Sequence, residues 1–136
     1  MDIDKDKIKN ILVVEDDLGD QKLIQITIRK LKPDCSLTLI ADGEEAQNFI
    51  NDPAKMKPIQ MVILDLNIPK VSGFDLLYQL HKNNMLERIY TVIFSTSSYE
   101  SNINREELKL ADKFYTKPSS LQKFIHIFKE MFSIKE

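Results

Sequence analysis

Five times along this chain a short apolar run gives way to a longer stretch with helical spacing, and that alternation leaves few folds open. The run NILVVE at residues 10–15 is rich in β-branched residues and ends in an acid, as a buried strand would. Over residues 18–32, Leu23, Ile24, Ile28 and Leu31 recur at helical intervals until Pro33 closes the segment. SLTLIA at residues 36–41 alternates like a strand with one wetter face. The following helix takes Asp42 as its N-cap, carries acids in its first turn and stops at Pro53. IQMVILD at 59–65 is a third strand, and a helix follows Ser72. IYTVIFS at 89–95 is a fourth strand, after which residues 97–111 read as a loop passing into a more polar helix. DKFYTK at 112–117 is a short fifth strand. The last helix, at 118–132, has Pro118 near its start and apolar Leu121, Phe124, Ile125, Phe128 and Met131.

Regular alternation implies parallel strands, right-handed crossovers and helices on both faces of one sheet. The first, third and fourth strands are nearly continuous apolar runs, which fits burial on both sides. The expected fold is therefore α/β: a doubly wound (βα)5 flavodoxin-like three-layer sandwich with strand order 2-1-3-4-5. A length of 136 residues suits one domain, with a core over about residues 9–132 and no output domain after the last helix. A net charge of −2, with the lysines and arginines scattered, argues against nucleic acid or a membrane surface as partner. The longest apolar run near the N-terminus, at residues 11–14, is too short for a signal peptide or a membrane span. Cys35 is the only cysteine, which rules out an intrachain disulfide. These features point to a cytoplasmic protein.

In a doubly wound sheet the residues just past the C-terminal strand ends face one crevice. Here the first strand ends in Glu15, Asp16 and Asp17, the third in Asp65, the fourth in Ser95 and Thr96, and the fifth in Lys117 and Pro118. Carboxylates gathered without counter-charge repel, so at least one should have a raised pKa. A divalent cation is the simplest remedy. All-oxygen donors suit Mg²⁺, which binds through one or two carboxylates and keeps waters for a phosphate. Lys117 adds a point charge beside it. This chemistry fits phosphoryl transfer to a carboxylate, with Asp65 on the central strand as the best nucleophile. Asp17 and Asp20 read as helix-entry acids. His81 and His126 lie within helical patterns without ligand spacing, and Gly43 and Gly73 read as backbone devices near helix starts.

Over nearly its whole length the chain resembles the receiver domain of two-component response regulators. The resemblance rests on LVVEDD, LDLNIPKVSG, FSTSS and YTKP in that order. The 30-residue step from Asp65 to Ser95 and the 22-residue step from Ser95 to Lys117 are the family's spacings. VVEDDLGDQ, DLNIPK and STSS look closest to small stand-alone regulators that partner phytochromes. The resemblance implies that Asp65 accepts a phosphoryl group from a phosphohistidine on a sensor histidine kinase or histidine phosphotransfer protein. It implies Mg²⁺, with Mn²⁺ as a substitute, ligated by Asp16 and Asp65 directly, by Glu15 largely through water, and by the backbone carbonyl of Asn67. Ser95 and Lys117 would contact the attached phosphoryl group, with Asn67 and Thr96 beside it. The Lys117–Pro118 peptide would be cis. Phe114 falls at the switch-aromatic position, on a face made by the fourth helix, fifth strand and fifth helix. That face would dock an unidentified protein target or form a homodimer. The implied role is a signalling phosphoacceptor rather than an enzyme, with slow self-dephosphorylation.

Three other readings compete. A phosphatase of the haloacid dehalogenase type places a second aspartate two residues after its nucleophile, where this chain has Asn67. A flavodoxin or nucleotide-binding module wants a phosphate loop after the first strand, and EDDLGD would repel a bare phosphate. A pseudo-receiver that only binds partners is disfavoured because all the needed residues are present.

Overall fold

The computed structural model describes residues 3–135, so Met1, Asp2 and Glu136 of the expected domain lie outside it. Five strands run β1 (Asn10–Val14), β2 (Ser36–Ile40), β3 (Met61–Leu64), β4 (Tyr90–Ser95) and β5 (Lys113–Thr116). They form one all-parallel sheet in the expected order β2-β1-β3-β4-β5. The helices are α1 (Leu18–Leu31), α2 (Gly43–Ile50), the single turn α3 (Pro53–Met56), α4 (Gly73–Lys82) and α5 (Leu121–Met131). No helix among the described residues is long and apolar enough to cross a membrane.

The inner strands feed two cores at once. In β1, Leu12 and Val14 join the apolar cluster under α2 and α4, while Ile11 and Val13 join the one under α1 and α5. Val62 and Leu64 of β3 go to the first cluster, Met61 and Ile63 to the second. That is why these strands read as unbroken apolar runs: side chains alternate faces, and both faces are dry. On the α1/α5 side, Phe94 meets Phe124 and Phe128 edge-on at 5.2 and 5.3 Å.

Caps define where the helices begin. Asp17, Asp42 and Ser120 each accept a hydrogen bond from the backbone N–H three residues on. Ser72 and Asp75 form a reciprocal capping box at the start of α4. Tyr90, to which the sequence assigns no role, is buried, and its hydroxyl donates to the carbonyl of Met131 at the end of α5 (2.9 Å).

Two local expectations need correction. Helix α2 ends at Ile50, and Asp52 caps the separate turn α3, in which Pro53 is the first residue rather than a stop. Residues 97–111 form no α-helix, only 3-10 turns at Glu100–Asn102 and Glu106–Leu110. Their backbone bonds all span three residues, as from Asn102 N–H to the Tyr99 carbonyl and from Arg105 N–H to the Asn102 carbonyl. The reason is local competition. Ser101 N–H donates to the Ser98 hydroxyl, while the Ser101 hydroxyl and the Asn102 amide both donate to the Ser98 carbonyl. That carbonyl is thereby drawn away from α-helical pairing.

Candidate functional site

The sheet ladder continues one bond past the strands, and this brings the predicted residues together. Glu15 N–H donates to the Ile40 carbonyl, Asp65 N–H to that of Val14, and Lys117 N–H to that of Ser95. Three side chains on three strands are thus fixed at one edge by backbone bonds before any of them touches another.

Asp65 is 5% exposed, and both its oxygens are engaged. Oδ1 accepts from the Ser95 hydroxyl at 2.7 Å and from Asn67 N–H at 3.0 Å. Oδ2 accepts from Lys117 Nζ at 2.8 Å. The chain leaves Asp65 through a tight passage in which Gly73 N–H donates to the Leu66 carbonyl. A Cβ on Gly73 would stand 2.4 Å from the Asp65 carbonyl oxygen, so only glycine fits there. Gly43 plays the same part opposite: its N–H donates to the Pro69 carbonyl, and a Cβ would stand 1.8 Å from the Val71 oxygen. Lys70, between them, takes the left-handed conformation at φ 74°.

Glu15, Asp16 and Asp65 present carboxylate oxygens within 4.8 Å of one another, Asp16 being exposed to solvent and the other two buried. Lys117 answers part of that charge. Its side chain is 8% exposed, and Nζ lies 2.5 Å from Glu15 Oε1, 2.8 Å from Asp65 Oδ2 and 2.9 Å from Asp20 Oδ2. Burial opposes the ammonium charge, but the hydrogen bonds to Asp65, Glu15 and Asp20 outweigh it and hold the lysine pKa above its ordinary value. Burial also dominates at Glu15, raising its carboxyl to about 7 against the lowering pull of Lys117 and the Asp17 amide. A raised carboxylate pKa was expected from mutual repulsion; burial is the larger cause here, and the charge of Asp65 adds least.

The remaining predicted residues lie around this centre. Asn67 is exposed, and its side-chain amide donates to the Ser97 hydroxyl at 2.7 Å and lies 3.5 Å from that of Ser95. Thr96 is exposed at the end of β4. Phe114 is half-buried, edge-on to Tyr99 with ring centroids 5.6 Å apart, on a face built from 3-10 turns where a fourth helix was expected. The Lys117–Pro118 peptide is trans, as are all others among the described residues, contrary to the expected cis bond. Lys117 N–H donates to the Ser95 carbonyl at 2.8 Å, and with the trans bond following it the side chain already reaches all three carboxylates. Sequence reasoning missed Asp20. It sits in the first turn of α1, where an acid needs no further explanation, and only the fold brings it to Lys117.

Chemically, this is a desolvated carboxylate flanked by a hydroxyl, an ammonium and an oxygen cluster of the kind that suits a hard divalent cation. Comparison with known proteins agrees with that picture. Residues 11–129 match the family model described as the response regulator receiver domain. Response regulator Rcp1 of Synechocystis is 32% identical over 98 residues, covering 70% of this chain and 67% of Rcp1. The Arabidopsis two-component response regulator ARR8 is 28% identical over 127 residues, covering 82% of this chain and 56% of ARR8. The chain thus spans between about half and two thirds of the length of these relatives. Among solved structures, the phosphorylated cyanobacterial phytochrome response regulator RcpA superposes with a TM-score of 0.79 at 28% identity, over 93% of this chain and 94% of RcpA. The Mn²⁺-bound form of Rcp1 gives 0.77 at 28% identity, over 92% of each chain.

Proposed function

The chain belongs to the response regulator receiver-domain family of two-component systems, and on that premise we propose that Asp65 is its phosphoacceptor. The observation that carries the reading is the double hold on Asp65: Ser95 and the Asn67 amide on one oxygen, Lys117 on the other. An Asp65 oxygen attacks phosphorus of a phosphohistidine on a histidine kinase or phosphotransfer protein. The P–N bond breaks with its electron pair on the imidazole nitrogen, which is protonated from solvent. The product is an acyl phosphate, and water attacking its phosphorus later returns the carboxylate and inorganic phosphate. Lys117 and the Ser95 hydroxyl, now held on carboxylates, donate to the phosphoryl oxygens as charge builds on them.

The donor set fits Mg²⁺ or Mn²⁺. Asp16 and Asp65 would ligate directly, Glu15 through water, and Asn67 through its backbone carbonyl. Held by these residues, such a cation would neutralise part of the negative charge of the carboxylates and the phosphoryl group. The Mn²⁺-bound relative and the residual carboxylate excess around a single lysine support this reading. The phosphorylation signal is read on the face made by residues 97–111, β5 and α5, where the Tyr99–Phe114 pair lies beyond Ser95. That face docks a target protein or a second copy of the chain.

Incubation with Mg²⁺ and acetyl phosphate, followed by intact mass, should add one phosphoryl group to the wild type and none to Asp65→Asn. Equal labelling of the two would reject the assignment. Sedimentation velocity with and without beryllofluoride tests self-association, and an unchanged mass leaves docking of a different protein as the output.

A further inference from the structure

We propose that Asp20 is a positioning residue for Lys117: it holds the ammonium at rest and yields it when a phosphoryl group arrives. The proposal rests on Asp65 being the phosphoacceptor. A lysine ammonium has three protons to donate and no acceptor. Here all three are directed at carboxylates, on Glu15, Asp65 and Asp20. Lys117 therefore has no free donor for a phosphoryl oxygen, and one of its partners must let go.

The three partners are not equivalent. Glu15 is 2% exposed, makes the shortest contact, and also accepts from the Asp17 amide at 3.1 Å. Asp65 is the group being modified, and Ser95 and Asn67 hold its other oxygen. The Asp20 side chain is 28% exposed and lies outside the cluster of Glu15, Asp16 and Asp65. It alone can replace the lost ammonium with water at low cost. Its place is set from the backbone, because Asp20 N–H donates to the capping carboxylate of Asp17 at 2.8 Å. Asp20 thus competes with the incoming phosphoryl group for Lys117, and its negative charge beside the lysine opposes a second anion. Removing the carboxylate should favour the phosphoryl-bound state.

The test compares wild type, Asp20→Asn and Asp17→Asn in the full chain with Mg²⁺. Apparent beryllofluoride affinity is followed by amide NMR, and labelling by acetyl phosphate is followed by intact mass. Asp17→Asn removes one charge from the same turn, keeps a capping side chain, and does not touch Lys117. Asp20→Asn should bind beryllofluoride roughly fivefold more tightly and label faster, on the scale of one partly exposed charge-assisted hydrogen bond. Asp17→Asn should change little, and Asp20→Glu, which restores a carboxylate, should return towards wild type. Asp20→Ser replaces Asp20→Asn if the latter unfolds. An Asp20 variant no tighter than wild type overturns the proposal. So does an equal gain in Asp17→Asn, which would make the effect one of general charge. A wild type that takes no beryllofluoride removes the phosphoacceptor premise itself; wild-type binding with Asp20→Asn unchanged removes only the role of Asp20.

Discussion

The segment that leaves Asp65 and the segment that leaves Ser95 start side by side and are built in opposite ways. From Asp65 to Gly73 the chain is threaded between the starts of α2 and α4. Leu66 and Ile68 are buried, Gly73 is pressed against the Asp65 carbonyl, and Gly43 against that of Val71. From Thr96 to Ala111 the backbone makes three-residue turns, Tyr99 and Ile103 stand in solvent, and serine side chains occupy a backbone acceptor. Its attachments are a few side chains: Leu108 in the core, Arg105 3.8 Å over the Phe74 ring, and Tyr99 on Phe114. Reaction geometry needs a fixed carboxylate, whereas a readout needs a segment with a second arrangement close in energy. The two demands are met by neighbouring loops of one crevice.

Three substitutions test that contrast. Gly73→Ala should have the largest effect, because the new methyl meets the Asp65 carbonyl and the Leu66 Cα. It should cost about 3 kcal/mol in urea unfolding and depress labelling by acetyl phosphate in whatever fraction stays folded. A loss below 1 kcal/mol, with labelling intact, would show the passage to be softer than described. Tyr90→Phe comes next. It removes the donor to the Met131 carbonyl and should cost about 1–2 kcal/mol, leaving the labelling rate unchanged. A changed rate would mean that the base of β4 is coupled to its tip. Smallest is Ser101→Ala, which removes one of the two side-chain donors to the Ser98 carbonyl and should move stability by less than about 0.5 kcal/mol. Helical content by circular dichroism should rise nonetheless. A loss of helical signal would show that these serines support local structure rather than divert it.

Much of this molecule could be read before folding. Two-faced apolar strands, a cap at Asp42 and the order of strand ends are local or periodic signals, and they sufficed for the topology and for bringing Glu15, Asp65, Ser95 and Lys117 to one edge. What escaped depended on competition or distance. The 97–111 segment has helical spacing, yet Ser98 and Ser101 draw its backbone into tighter turns. Asp20 already looks explained as a first-turn acid, and its partner Lys117 lies just past β5, 97 residues along the chain. Tyr90 offers no sequence signal because its acceptor, the Met131 carbonyl, exists only once α5 has docked.

The anchoring of Tyr90 has a mechanical corollary. Strand β4 is moored at its foot to the end of α5 and flanked along its length by β3 and β5. It cannot slide like a piston when its far tip is disturbed at Ser95. Displacement at that tip has to travel forward along the chain, into the turns bearing Tyr99, as the free end of a clamped rod deflects while its base stays still.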